Sequence, residues 1–188
     1  MSGKSTLVFN LIENIQDRFD PVPQRVVYAY GAYQKEFENF PAVEFVEGLE
    51  KILEEDFFSS STSTLLIIDD LLEDVSKNPK ASALFTRGIH HKNITVLFLA
   101  QNLFKQGSSM RDITLNSQYF ILFKNSRDVQ QIKLLARQCD LKHLLLAYNK
   151  CIKQTLYGYL LIDIHPKTPD LLKLQSDIFG YRRVYVAK

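Results

Sequence analysis

The segment Thr64-Leu65-Leu66-Ile67-Ile68-Asp69-Asp70 indicates the fold class more directly than any other part of the chain. Its four central residues, 65–68, are apolar without interruption. A strand with one face in water alternates apolar and polar residues, whereas a parallel strand that is covered on both faces is apolar throughout. We therefore expect a buried parallel strand over residues 64–69, in a sheet with helices on either side.

Elsewhere, short apolar runs alternate with segments of helical spacing. The strand candidates are rich in β-branched and aromatic residues: Arg25–Tyr30, Thr64–Asp69, Ile94–Ala100, Tyr119–Lys124, Tyr157–Ile164 and Arg183–Val186. Helical spacing is found in Lys4–Phe19, Val46–Phe58, Asp128–Gln138 and Leu141–Lys153, mostly between the strand candidates. This order predicts an α/β fold.

The composition fits one compact domain over residues 1–188. Of these 188 residues, 46% are hydrophobic, which is enough for one full core and leaves little for a second. The net charge of +2 gives no sign of a large nucleic-acid-binding surface, so any DNA contact must be local.

The cysteines and the apolar runs bear on the cellular setting. Two cysteines, Cys139 and Cys151, without a signal peptide predict a reducing, intracellular environment and no disulfide framework. No apolar run approaches the roughly 18 residues that a membrane span needs. We therefore expect no membrane partner.

The first residues, Met1-Ser2-Gly3-Lys4-Ser5-Thr6, match the second half of a Walker A motif and precede an apolar helical pattern. In that motif, backbone N–H groups surround the phosphates, the lysine reaches the β- and γ-phosphates, and the Ser or Thr hydroxyl binds magnesium. Gly3, Lys4, Ser5 and Thr6 are thus predicted to bind ATP, with Ser5 also a Mg²⁺ ligand. The alternative is a fraying N-terminus without a nucleotide role.

Asp69 and Asp70 end the apolar run and match a Walker B element. One carboxylate at that position can hold Mg²⁺, and its neighbour can orient or deprotonate the attacking water. We predict the metal role for Asp69 and the catalytic role for Asp70. The alternative is an acidic pair that begins a helix, where negative charge is favourable.

Gln101 follows the strand candidate Ile94–Ala100. A neutral amide at the carboxyl end of a strand can sense the γ-phosphate and help to position water, so Gln101 is a third catalytic candidate. The alternative is a glutamine that only begins a turn.

With these sites in order, the chain resembles the FtsK-HerA superfamily of DNA-pumping ATPases. Within it, the chain is similar to the genome-packaging ATPases of Polinton-type elements, virophages and large DNA viruses. Besides the Walker elements, the resemblance rests on residues 87–96, 100–104, 115–117, 124–128 and 159–163 and spans nearly the whole chain. Its most specific part is the combination of His90-His91 with Gln101-Asn102-Leu103-Phe104.

The resemblance implies a RecA-like P-loop fold with a mostly parallel, doubly wound sheet, and Mg²⁺-dependent ATP hydrolysis. It also implies a homo-oligomeric ring around double-stranded DNA, a viral capsid or portal vertex as partner, and a location at a virus assembly site or in the virion. By position, Arg87 resembles the arginine that completes a neighbouring subunit's site, with Arg111 and Arg127 as rivals. A polar loop after Gln101, formed by Lys105, Gln106, Ser108, Ser109 and Arg111, is a candidate for phosphate contacts in the pore; the alternative is a solvated loop.

The beginning of the sequence departs from the family pattern. A complete Walker A motif has a glycine five residues before Gly3 and follows a buried strand, and both are missing from the sequence. We expect either a chain truncated within the motif or a decayed copy without turnover. The alternative function is therefore a catalytically impaired remnant that oligomerises or binds DNA. A nucleotide or nucleoside kinase shares the Walker fragment, but no arginine-rich lid is evident.

Overall fold

The computed structural model describes residues 3–88, 92–102, 108–125, 129–153 and 158–186. Two compact units are present: Ser5–Asn116, and Ser117–Lys188 together with Met1–Lys4. We call them the parallel-sheet unit and the antiparallel-sheet unit and describe each by itself. The single domain predicted for residues 1–188 stays a prediction.

The parallel-sheet unit is built on four parallel strands. They are β1 (Arg25–Tyr30), β2 (Glu44–Glu47), β3 (Thr64–Asp69) and β4 (Ile94–Leu99), and their order in the sheet is β2-β1-β3-β4. Every residue of β3 is buried. The strand predicted from the apolar run is confirmed, as are the strands beginning at Arg25 and Ile94.

Helices cover both faces of this sheet, which explains why β3 is apolar throughout. On one face lie α1 (Lys4–Glu13) and α2 (Ile15–Arg18), and the core on this side includes Val8, Tyr28, Phe37, Leu65 and Ile67. The core of the other face includes Val27, Leu66, Ile68, Leu84 and Met110. Its helical segments are α3 (Leu72–Lys77), α4 (Pro79–Ala83), a π-helical turn (Leu84–Gly88) and α5 (Ser108–Asn116). The predicted α/β class is confirmed.

The helix predicted over Val46–Phe58 is wrong. Val46 is buried in β2 opposite Ala29, and only a short 3₁₀ turn, Lys51–Leu53, follows. Gly48 explains the break, because its φ of 73° lies in the left-handed region and ends the preceding strand. The helix predicted over Lys4–Phe19 is found in two pieces, interrupted at Asn14. Helices α3, α4 and α5 were not predicted.

The sheet of the antiparallel-sheet unit differs in strand direction from the mostly parallel sheet that the resemblance implies. Its strands are β5 (Tyr119–Phe123), β6 (Tyr159–Asp163), β7 (Leu174–Ser176) and β8 (Arg183–Val184), which pair antiparallel in that order. Helices α6 (Val129–Gln138) and α7 (Leu144–Cys151) confirm the two helix predictions of this region. Three of the four strands were predicted approximately, but an apolar run does not reveal the direction of its partner. Within the described ranges, no helix is long and apolar enough to cross a membrane.

Candidate functional site

The predicted acidic and amide side chains follow adjacent strands at one edge of the parallel sheet. Tyr30 of β1 lies opposite Asp69 of β3, and Asp69 lies opposite Leu99 of β4. Since all four strands run in the same direction, the residues that follow these positions emerge at the same carboxyl edge. Asp70 and Gln101 are among them. Ligands of open α/β sheets bind outside this edge.

The first turn of α1 is joined to the same edge by a hydrogen bond. Ser5 Oγ donates to Asp69 Oδ2 at 3.2 Å, across a separation of 64 residues. Ser5 and Asp69 are the two residues that the sequence predicts as magnesium ligands. The structure thus brings the hydroxyl and the carboxylate together, while metal binding itself stays a prediction.

Tyr28 is a member of the site that sequence reasoning missed. Its hydroxyl donates to Asp69 Oδ2 at 2.8 Å, although the tyrosine is fully buried in β1. Burial raises the pKa of the Tyr28 phenol, and the negative charge and hydrogen bonding of Asp69 raise this pKa further. The phenol therefore remains a proton donor to the carboxylate. Alternation along β1 places Tyr28 on the α1 face, but it could not identify Asp69 as the acceptor.

Asp70 has an unusual backbone and an exposed side chain. Its φ of 58° lies in the left-handed region, which costs a non-glycine residue on the order of 1 kcal/mol or more. Gln101 Nε2 donates to Asp70 Oδ1 over a long distance of 3.4 Å. The structure therefore places two of the three predicted catalytic side chains next to each other.

The competing interpretation of the acidic pair makes it the beginning of a helix. Helix α3 begins at Leu72 after Leu71, and Leu71 makes no side-chain capping hydrogen bond. The Asp69 carboxylate accepts hydrogen bonds from Ser5 and Tyr28 and not from the first turn of that helix. The Asp69 carboxylate therefore does not cap helix α3, and the role of the acidic pair stays a prediction.

Gly31 is a second site residue that the sequence did not reveal. Its N–H donates to the Asp69 carbonyl oxygen at 3.1 Å. A Cβ atom at this position would lie 2.5 Å from the Asp70 carbonyl oxygen. Only glycine therefore allows the end of β1 to approach the backbone of Asp69 and Asp70 so closely. In the sequence, Gly31 comes directly after a predicted strand. Many glycines occupy such a position only because a turn follows, so this position did not identify Gly31 as part of a site.

The donor atoms at this edge fit a magnesium ion that is bound together with phosphates. Hydroxyl and carboxylate oxygens are the ligands that Mg²⁺ prefers, and Ser5 and Asp69 supply one of each. Over the part of the chain that the structure describes, no group of three or more His, Cys, Asp or Glu side chains is placed to hold a metal. Mg²⁺ commonly binds to one or two protein groups and takes its remaining ligands from water and substrate phosphates.

The remaining predicted residues lie at the beginning of α1 and on two other helical segments. Gly3 is buried with a φ of 81° directly before α1, Lys4 is the first residue of that helix, and Thr6 is exposed in its first turn. The backbone of Arg87 belongs to the π-helical turn Leu84–Gly88, and Arg111 is exposed on α5. Their predicted roles stay predictions.

Several predictions fall on residues outside the described ranges. They concern Arg127, the pair at 90–91, and Lys105 and Gln106 of the predicted polar loop. For the other members of that loop, Ser108, Ser109 and Arg111, the prediction is wrong, because these residues lie in helix α5. Comparison of the chain with protein-family models, with curated proteins and with solved structures found no match. The family resemblance therefore rests on the motifs, and the contacts of Ser5, Asp69 and Asp70 are an observation independent of it.

Proposed function

We propose that this chain is a magnesium-dependent ATPase that translocates double-stranded DNA, of the FtsK-HerA type that packages viral or virus-like genomes. The observation that carries the ATPase part is the hydrogen bond between Ser5 and Asp69 at the carboxyl edge of a parallel sheet. A Walker A serine and a Walker B aspartate must approach each other in this way to share one magnesium ion.

Each side chain has a distinct part in the proposed hydrolysis. Magnesium, when bound, offsets the negative charge of the phosphates, and Ser5 Oγ and the Asp69 carboxylate would hold it. The exposed carboxylate of Asp70 orients the attacking water and accepts its proton. Gln101 contacts Asp70 Oδ1, so it couples the position of this carboxylate to the neighbouring strand β4.

The DNA-translocation part of the proposal rests on the resemblance over residues 87–96, 100–104, 115–117, 124–128 and 159–163. It entails a homo-oligomeric ring around DNA, Arg87 as the arginine that reaches a neighbouring subunit, and a capsid or portal vertex as the partner. It also places the protein inside the host cell at the site of virus assembly. Gly3, Lys4 and Thr6 join Ser5 as the proposed ATP-binding residues.

The test is ATP hydrolysis by the purified chain with Mg²⁺, with and without double-stranded DNA. We expect DNA to stimulate turnover, and we expect Asp70→Asn to reduce kcat by about 10²-fold or more because it removes the general base. Asp69→Asn should reduce the Mg²⁺-dependent binding of ATP. The matched control is Asp74→Asn, which neutralises an exposed carboxylate in the first turn of α3 and should leave turnover unchanged.

Two outcomes would contradict the proposal. If Asp69→Asn and Asp74→Asn bind Mg·ATP as well as the unsubstituted chain does, the edge of the sheet is not a magnesium–nucleotide site. If the chain binds DNA but hydrolyses no ATP under any condition, it is the non-catalytic DNA-binding module that the sequence left open as the alternative.

A further inference from the structure

We infer that Tyr28 is a positioning residue for Asp69: its phenol holds one oxygen of the carboxylate so that the other oxygen is presented to a nucleotide-bound magnesium ion. This inference rests on the proposed function and assigns to it a residue that belongs to neither Walker motif. Tyr28 itself does not contact the metal or the nucleotide.

The hydrogen bonds at Asp69 are unevenly distributed between its two oxygens. The phenol of Tyr28 and the hydroxyl of Ser5 both donate to Oδ2, at 2.8 Å and 3.2 Å. Among the residues that the structure describes, no hydrogen bond reaches Oδ1. Two donors on one oxygen fix the rotation of the carboxylate, and the other oxygen keeps its lone pairs for a cation.

The same arrangement prepares Ser5 as a ligand. A hydroxyl has one proton to donate and two lone pairs. Because Ser5 Oγ gives its proton to Asp69, its lone pairs point away from the carboxylate oxygen and are available to a metal. Tyr28 supports this geometry by holding Oδ2, the acceptor of that proton, in place.

The phenol can act as a fixed donor because its ring is immobilised by other aromatic rings. The ring of Tyr28 stacks on Phe9, with 5.8 Å between ring centroids and 13° between ring planes. The rings of Phe37 and Phe45 also lie close, at 5.2 Å and 5.5 Å. The position of the hydroxyl is thus set by packing and does not depend on Asp69.

A purely structural role for Tyr28 makes a different prediction. If Asp69 served only as the hydrogen-bond acceptor of a buried phenol, removal of the hydroxyl would change the free energy of unfolding. The cation affinity of the folded protein would then stay the same. If Tyr28 positions Asp69, removal of the hydroxyl weakens cation binding in protein that is fully folded. Groups that orient metal ligands typically contribute about 10–100-fold to metal affinity.

The experiment compares Tyr28→Phe with the unsubstituted chain by titration calorimetry of ADP, once with Mg²⁺ and once with a chelator. Binding of Mn²⁺ to the ADP complex, followed by electron paramagnetic resonance, reports the cation directly. We expect Tyr28→Phe to weaken cation binding by about 10-fold, with ADP binding in chelator unchanged. Urea unfolding establishes that the variant is folded.

The control variant is Tyr148→Phe. Tyr148 is also buried, and its hydroxyl hydrogen-bonds to the backbone of Phe123 and Asn125 instead. Loss of this hydroxyl should leave cation affinity unchanged. A second series repeats Tyr28→Phe in Asp69→Asn protein, where we expect no further loss because the two residues act through one contact.

The outcomes separate the inference from the proposed function. If the unsubstituted chain binds Mg·ADP and Tyr28→Phe has the same cation affinity, the inference is wrong and the proposed function stands. An equal loss with Mg²⁺ and with chelator also overturns it, because the effect is then not on the cation. If the unsubstituted chain shows no cation-dependent nucleotide binding, both proposals fail together.

Discussion

Replacement of Gly31 by alanine should disturb stability and the candidate site at once. The new Cβ atom would lie 2.5 Å from the Asp70 carbonyl oxygen, whereas ordinary van der Waals contact begins near 3.4 Å. The two atoms must therefore separate by 3.4 − 2.5, or about 0.9 Å. The obstacle is backbone, so no side chain can rotate away to relieve the contact.

The energetic cost follows from this displacement. Forced insertion of a methyl group into a filled space costs about 1–3 kcal/mol. The movement also stretches the hydrogen bond from Gly31 N–H to the Asp69 carbonyl, which is worth about 1 kcal/mol. We expect the free energy of unfolding to fall by about 2–4 kcal/mol, a large part of the about 5–15 kcal/mol that holds a typical domain together.

The assay is urea unfolding followed by circular dichroism, with Mg²⁺-dependent ATP turnover measured on the folded protein. Gly48→Ala is the matched control: its φ of 73° strains an alanine, but within the described part of the chain no atom beyond the two flanking residues lies within 4 Å of the added Cβ. Gly48→Ala should cost about 1–2 kcal/mol and leave turnover of the folded protein intact. The reasoning is refuted if Gly31→Ala unfolds within about 0.5 kcal/mol of the unsubstituted chain, the scatter of ordinary surface substitutions.

Two further predictions concern backbone strain and acid stability. Asp70→Gly should reduce turnover by about 10²-fold or more, because it removes the proposed general base. The free energy of unfolding should stay the same or rise by up to about 1 kcal/mol, because glycine adopts the φ of 58° without strain. Asn93→Gly, at a φ of 49°, should show the stability effect alone, and a clear loss of stability in Asp70→Gly would contradict the argument. Burial raises the pKa of Glu44, but hydrogen bonds from Arg25 and Lys51 outweigh it and hold this pKa below 4.5. The stabilisation by Glu44 is therefore present above pH 4.5 and is lost as the pH falls through the lower pKa that Glu44 has in the folded protein. The urea midpoint of Glu44→Gln should decline less in acid than that of the unsubstituted chain. Parallel declines of the two midpoints would refute this.

Local sequence patterns predicted the elements of the fold better than their arrangement. The apolar run of β3 and the helical spacing of Val129–Gln138 were recognisable because each pattern is complete within a few residues. The segment Val46–Phe58 was misassigned because its apolar spacing suits a helix, whereas Val46 gains its burial by pairing with Ala29 of β1. Local patterns likewise could not predict that the strands of the second sheet pair antiparallel, because an apolar run carries no information on its partner strand.

The candidate site was predictable where it depends on motifs. Ser5, Asp69, Asp70 and Gln101 were selected from their types and from their positions next to predicted elements. Their selection needed no knowledge of which strands are neighbours. Tyr28 was not selected because a tyrosine in a strand is ordinarily a core residue. The side chain of Tyr28 is indeed buried in the core.

The sequence by itself determined that a buried strand ends in two carboxylates and that a helix begins at a Gly-Lys-Ser segment. Only the tertiary structure decided that Ser5 and Tyr28 donate to the same oxygen of Asp69, and that Gly31 lies against Asp70. The physical reason is that an apolar or helical pattern determines the secondary structure of only the few residues that form it. Strand order and register, which place Tyr30 opposite Asp69, result instead from the packing of the whole sheet.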